Sequence, residues 1–322
     1  MHLALAKNLY WGHLDYDNAR KELALAQRLL PNDAQVLLLS SYIDRRQGRW
    51  DDSLKNMDKA LSLDPRGPQT PFMLEQISRT YWLLRRYTEM ATTLDRAVQL
   101  APNNPSLRLN RANVAVLSRA DIQASKNILH SLVGDKAAAE SFSRESFDIA
   151  RYERNWDEAG RALSVMPSDG CREEAFPFPR TWCEGILERS QGDNERARAS
   201  LLKARAEVQK IVQQQSNNAP ALCVLGLIDA GLGSKNEAVQ EAKRALELLP
   251  PDKDSVDGSR VIKYSALTNA LIGKKDAALR QLTTAAQIPG YLAYGELKLD
   301  PLWDPLRTDP RFQKILESLA PK

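Results

Sequence analysis

Gly48-Arg-Trp-Asp-Asp-Ser-Leu-Lys-Asn-Met-Asp-Lys-Ala-Leu-Ser-Leu-Asp-Pro65 is the stretch whose reading decides the fold. A glycine suited to a tight turn is followed, two residues on, by Trp50. An amphipathic run then ends at Asp64-Pro65. Upstream, Gln35 to Gln47 reads as a first helix, with Val36, Leu37, Leu39 and Ile43 mainly on one face. Gly48 breaks that helix, and Pro65 cannot continue the second one because it lacks an amide proton. Neither helix is long enough to bury its apolar face alone, so the pair needs neighbours of the same kind.

Working outward, the pattern returns. Pro31 and Pro65 are 34 residues apart, and each has an alanine five residues before it, Ala26 and Ala60. Pro102, with Ala97 in the same relation, follows after 37, and the extra residues fall in Arg66-Gly-Pro-Gln-Thr-Pro71. Small residues recur seven apart at Ala19/Ala26, Ser53/Ala60, Ala197/Ala204, Ala238/Ala245 and Ala278/Ala285. That spacing puts both small residues of a pair on one helix face. Tyr10 and Tyr16, then Tyr81 and Tyr87, occupy matching places in the first and third units.

Period, turn glycine and alanine offsets together resemble the tetratricopeptide repeat. The resemblance implies an all-α, right-handed α-α superhelix, a solenoid of about eight helix-turn-helix units. The units start near residues 1, 34, 71, 105, 136, 180, 219 and 255. The fourth and fifth are degenerate, the sixth has an overlong second helix reaching Gln215, and the seventh fits best. Residues 1–167 therefore read as units one to five, 168–179 as an irregular joint, 180–289 as units six to eight, and 290–322 as a C-terminal helical cap. In the cap, three Asp-Pro steps favour tight turns and short helices, and Trp303, Leu306, Phe312 and Leu316 can cover the last repeat. The tail also resembles the ends of large bacterial signalling proteins, in which such an array follows a kinase, cyclase or winged-helix domain. Met1 opens straight into a helical pattern, which reads as the cut end of a longer polypeptide.

Composition narrows the function. Hydrophobic residues make up 43% of the chain, enough for a core, yet no apolar run approaches the roughly 18 to 20 residues of a membrane span. Of the net charge of +4, residues 1–118 carry all, with 16 Lys and Arg against 12 Asp and Glu; the remainder holds 29 of each. That modest surplus disfavours nucleic acid as the main ligand. Cys171, Cys183 and Cys223 are odd in number and lack CxxC spacing. Free thiols in a reducing, cytoplasmic compartment follow by default, although Cys171 and Cys183 could pair across the joint under oxidant. His2, His13 and His130 lie far apart, no phosphate-binding loop precedes a helix, and no nucleophile–base–orienter set can be named. Catalysis, metals and cofactors are therefore not expected.

Binding is the better expectation. In the repeat family the first helices line a groove, and the register puts Asn8, Trp11, Tyr42, Arg45, Arg46, Gln76, Arg79, Trp82, Asn110 and Asn113 along it. Arginine and asparagine there would hold a peptide's backbone and carboxylates, and the aromatics would anchor it. The expected ligand is thus a protein or peptide segment, with acidic character. Ala4 and Leu38 stand where chaperone-binding relatives carry charge, which disfavours chaperone tails. Later units offer Trp182, Cys183, Cys223, Val224, Leu227 and Tyr264 at the equivalent positions, implying a different surface or a closed superhelix. The alternative is a small-molecule sensor coupled to a kinase, cyclase or regulator; RNA binding ranks third.

Overall fold

The computed structural model describes residues 1–321, and among these the regular structure is helical throughout, apart from one isolated bridge between Glu173 and Phe176. The chain forms two compact units. The first holds residues 1–114 with 251–256 and 289–291; the second holds 115–250, 257–288 and 292–321. The irregular 168–179 stretch lies within the second.

The first unit is a stack of antiparallel helix pairs. His2–Asn8, continued by a π-helical turn Leu9–His13, pairs with Tyr16–Leu29; Ala34–Arg46 pairs with Trp50–Leu63; and Thr70–Leu83 pairs with Tyr87–Leu100. Local chemistry sets the ends. The Asp15 and Asp33 side chains accept from the backbone amides of Asn18, Gln35 and Val36, satisfying donors that a helix leaves open. The turn inside each pair needs a left-handed residue. Gly48 supplies it at φ +71, whereas Arg85 does so at φ +56 with a side-chain penalty. Val36, Leu37, Leu39, Met57, Ile77 and Leu107 form the buried seams between helices.

The second unit repeats the plan. Ser143–Tyr152 pairs with Trp156–Val165, Arg180–Ser190 with Asn194–Gln214, Ala219–Leu232 with Lys235–Leu248, and Asp257–Leu271 with Lys275–Gln287. Both members of every small-residue pair are buried at 3% exposure or less, so those positions are where the helices cross. A Cβ on Gly226 would come within 3.1 Å of the Ala238 carbonyl oxygen, which measures how tight one crossing is. The sixth pair's second helix is overlong, as its sequence indicates, running to Gln214. The fifth departs from a simple pair, because Phe142 divides its first helix into Lys136–Ser141 and Ser143–Tyr152. Tyr294–Leu299, the 3-10 turn Pro301–Leu306 and Pro310–Leu319 close the chain, with Trp303, Leu306 and Phe312 in the same buried cluster as Leu279 and Leu282.

One expectation is corrected. Cys171 and Cys183 are not free thiols: they form a disulfide, with Cα atoms 6.4 Å apart, and only Cys223 remains a free, buried thiol. Spacing in sequence could not disclose this, since a disulfide requires Cα atoms within roughly 4.4–6.8 Å in space. The turns within 168–179 bring the two sulfurs together.

Candidate functional site

On the first helices of the first unit, three of the sequence-selected residues, Tyr42, Arg45 and Gln76, come together. Tyr42 and Arg45 are neighbours on Ala34–Arg46, with the Arg45 guanidinium 5.3 Å from the Tyr42 ring centroid. Arg45, buried at 6% exposure, donates to the Gln76 carbonyl and to Gln76 Oε1 at 3.3 Å each, tying one repeat to the next. Burial, and then the nearby Arg79 charge, lower the Arg45 pKa. Burial pushes the Tyr42 hydroxyl up to about 12. Asn110 donates to Glu75 at 2.8 Å. Asn113 is half-buried further along the helix that carries Asn110, Pro105–Arg119. Asn8 and Trp11 stay exposed, Trp11 at 58%, with its ring edge-on to Tyr10.

Two short segments from far along the chain are seated on this face. The buried Asp254 carboxylate, 1% exposed, accepts from Arg46 at 3.0 Å and from the Tyr16 hydroxyl at 2.6 Å. Arg46 also reaches Tyr10 Oη at 3.4 Å, and Ser255 donates its amide to the Arg46 carbonyl. Burial, reinforced by the Asp254 charge, raises the Tyr16 pKa well above the usual phenol range. The second segment brings Tyr291. Arg79 donates to its hydroxyl at 2.5 Å, and Trp82 packs edge-on against its ring at 4.9 Å. The Gly290 amide donates to the Leu83 carbonyl, while Trp82 Nε1 is buried with no acceptor beside it.

The sequence register thus brings together Tyr42, Arg45 and Gln76 in one cluster, and places Arg46, Arg79 and Trp82 against internal partners. It missed Tyr10, Tyr16, Glu75, Asp254 and Tyr291. The two tyrosines of the first repeat carried a signal, because they sit at recurring aromatic positions. Asp254 and Tyr291 carried none, since they lie in inter-helix loops outside the repeat's fixed positions. In the second unit, Trp182, Cys183, Cys223, Val224, Leu227 and Tyr264 are all buried within its core cluster. Among the described residues, no group of three or more His, Cys, Asp or Glu side chains is arranged to hold a metal ion, and no helix is long and apolar enough to cross a membrane.

A tetratricopeptide-repeat family model matches residues 73–104. That match covers the third helix pair, and the buried small-residue crossings repeat its build on both sides. Residues 73–104 thus carry a tetratricopeptide repeat, set among helix pairs with the same buried small-residue positions. Its fold is similar to that of three solved structures. PilF of Pseudomonas aeruginosa shares 17% identity over 63% of this chain and 88% of its own, at a TM-score of 0.47. PilW, described as a widely conserved type IV pilus biogenesis factor, shares 17% over 64% and 91%, also at 0.47. A tetratricopeptide repeat protein from Parabacteroides merdae shares 10% over 89% and 98%, at 0.47. No curated protein sequence matches the chain.

Proposed function

We propose that this chain is a non-catalytic scaffold that holds a protein or peptide segment on the first-helix face of its first unit. The observation that carries the reading is how that face treats the chain's own loops. It grips a carboxylate with Arg46 and Tyr16, and a tyrosine with Arg79 and Trp82. Charge-assisted hydrogen bonds and edge-on aromatic contacts are the means by which a scaffold holds an acidic, aromatic segment. Asn8, Trp11, Tyr42, Gln76, Asn110 and Asn113 extend the same face, and an exposed tryptophan is a strong candidate anchor. We place the activity in the regulatory part of a bacterial signalling protein, on the strength of the tail's resemblance.

Covalent chemistry supports a reading of the compartment. A buried disulfide favours an oxidising compartment over the cytoplasm assumed for free thiols.

Asn8→Ala with Trp11→Ala tests the binding reading at two exposed positions, at the cost of one edge-on ring contact to Tyr10. Affinity capture from bacterial lysate should recover a discrete partner with the parent chain and lose it with the double variant, at unchanged helicity. A partner retained in full by the variant would remove this face from consideration.

A further inference from the structure

The second unit holds a dense group of buried charges that the scaffold reading does not use, and a stapled loop lies across it. Arg144, Asp148 and Arg151 come from Ser143–Tyr152, and Arg260, Lys263 and Tyr264 from Asp257–Leu271. Arg260, Lys263 and Tyr264 are 2%, 4% and 8% exposed. Beneath the loop, Asp148 pairs with Arg144 and Arg151 at 2.9 Å each, Arg151 with Asp300, and Lys263 with Glu296 at 3.1 Å.

The loop makes the contacts that a bound acidic peptide would make. A bridge between Glu173 and Phe176 folds the loop into a tight turn, with Glu174 left-handed at φ +53. Arg144 takes the Cys171 and Arg172 carbonyls at 2.5 and 3.3 Å and approaches the Glu173 carboxylate at 3.7 Å. Arg260 takes the Glu173 carbonyl at 3.3 Å and the Glu174 carboxylate at 3.2 Å. The Tyr264 hydroxyl donates to Glu173. Phe176 and Phe178 then lay their rings 5.4 and 5.3 Å from the Tyr264 ring. Burial opposes ionisation of Glu173, but Lys263, Arg260 and Arg144 outweigh it and hold its carboxyl below the usual range.

We propose that the Arg144–Arg260–Tyr264 face is a binding site for an acidic, phenylalanine-bearing segment, occupied by the chain's own residues 171–178, and that the Cys171–Cys183 disulfide keeps it occupied. The bond anchors one end of that segment to Arg180–Ser190, so the loop cannot swing away while it is intact. A dithiol reductant opens the gate. Its thiolate attacks one sulfur and breaks the S–S bond, and its second thiol resolves the mixed disulfide. Cys171 and Cys183 are then thiols, and the reductant carries the disulfide. The freed loop remains tethered and competes at high effective concentration, so an outside segment must offer the same acids and rings. This site lies in the second unit and does not depend on the scaffold reading of the first.

The probe is the loop's own sequence as a labelled peptide, Arg-Glu-Glu-Ala-Phe-Pro-Phe, residues 172–178. Its binding is followed by fluorescence anisotropy against the oxidised chain, the chemically reduced chain and a Glu173→Ala, Glu174→Ala variant in reduced form. Affinity should rise at least about tenfold on reduction and further in the variant, whose internal competitor is weakened. It should fall again when Tyr264→Phe is added. Amide exchange at 172–178 should rise by about the same factor on reduction, with helicity retained. Equal peptide binding in both redox states overturns the site, and unchanged exchange overturns the gate. Wholesale loss of helicity on reduction also overturns the gate, because the bond would then be a structural staple. Three thiols titrating in the denatured, air-oxidised chain, instead of one, would do the same.

Discussion

Asp229 and Glu241 show what a single position can store. Asp229 is fully buried and accepts from Arg205 at 2.6 Å. Its other oxygen, and Glu241 Oε2, are both buried with no hydrogen-bond donor beside them. Two carboxyls so placed favour keeping one proton. Burial, then the Asp229 charge, raise the Glu241 pKa to about 8; Arg205 opposes this and Glu237 adds to it. The native state therefore holds a proton that the unfolded chain releases near 4.5, the ordinary glutamate value. Stability must fall as pH rises through that window, because the unfolded state then binds fewer protons than the native one. Glu241→Gln should flatten this slope in denaturant titrations between about pH 5 and 8. A slope equal to that of the parent would mean the shared proton is absent. Nothing in the local sequence marks this pair, since Asp229 and Glu241 sit on different helices and meet only when the hairpin closes.

Single helices and loops behave differently. The repeat's crossings were legible because a small residue every seven positions is a local pattern with one geometric use. Ser53, Ala60, Ala238 and Ala245 are accordingly all at 0% exposure. The 251–256 loop had no such pattern, yet it supplies one partner of a well-buried ion pair. Arg46 and Asp254 are 19% and 1% exposed at their side chains. Asp254→Ala would leave Arg46 and the Tyr16 hydroxyl without that carboxylate. Truncating one partner of a buried pair costs about 3–5 kcal/mol, because the other charge is left desolvated. We expect a loss near the lower end, since Arg46 keeps some solvent contact. Chemical denaturation read by circular dichroism measures it, and a loss under about 1 kcal/mol would reduce the pair to surface value. The candidate face is thus half legible: Arg45 and its neighbours Tyr42 and Gln76 come from the register, as do Arg46, Arg79 and Trp82, but Asp254 and Tyr291, which those last three touch, do not.

At the scale of the molecule, a stack of repeats needs an end. Leu279 and Leu282 of the last pair share a buried cluster with Trp303, Leu306, Phe312 and Ile315 of the closing segment. Deleting residues 292–322 would return that apolar face to water, and we expect the shortened chain to aggregate, seen as a higher mass in light scattering. A monodisperse, fully helical product would show that the segment caps nothing. By itself the sequence determined the all-α class, the pairing of helices, the crossings and the closing segment. Each of these is written in residues close along the chain, through periodicity and turn chemistry. Only the tertiary structure decided that Cys171 meets Cys183, that Asp254 and Tyr291 sit on the first helices, and that Glu173 lies on Tyr264. These contacts join loops to helices up to 238 residues away, and no period constrains a loop. Their partners are chosen by burial and charge pairing, which exist only once the chain has folded.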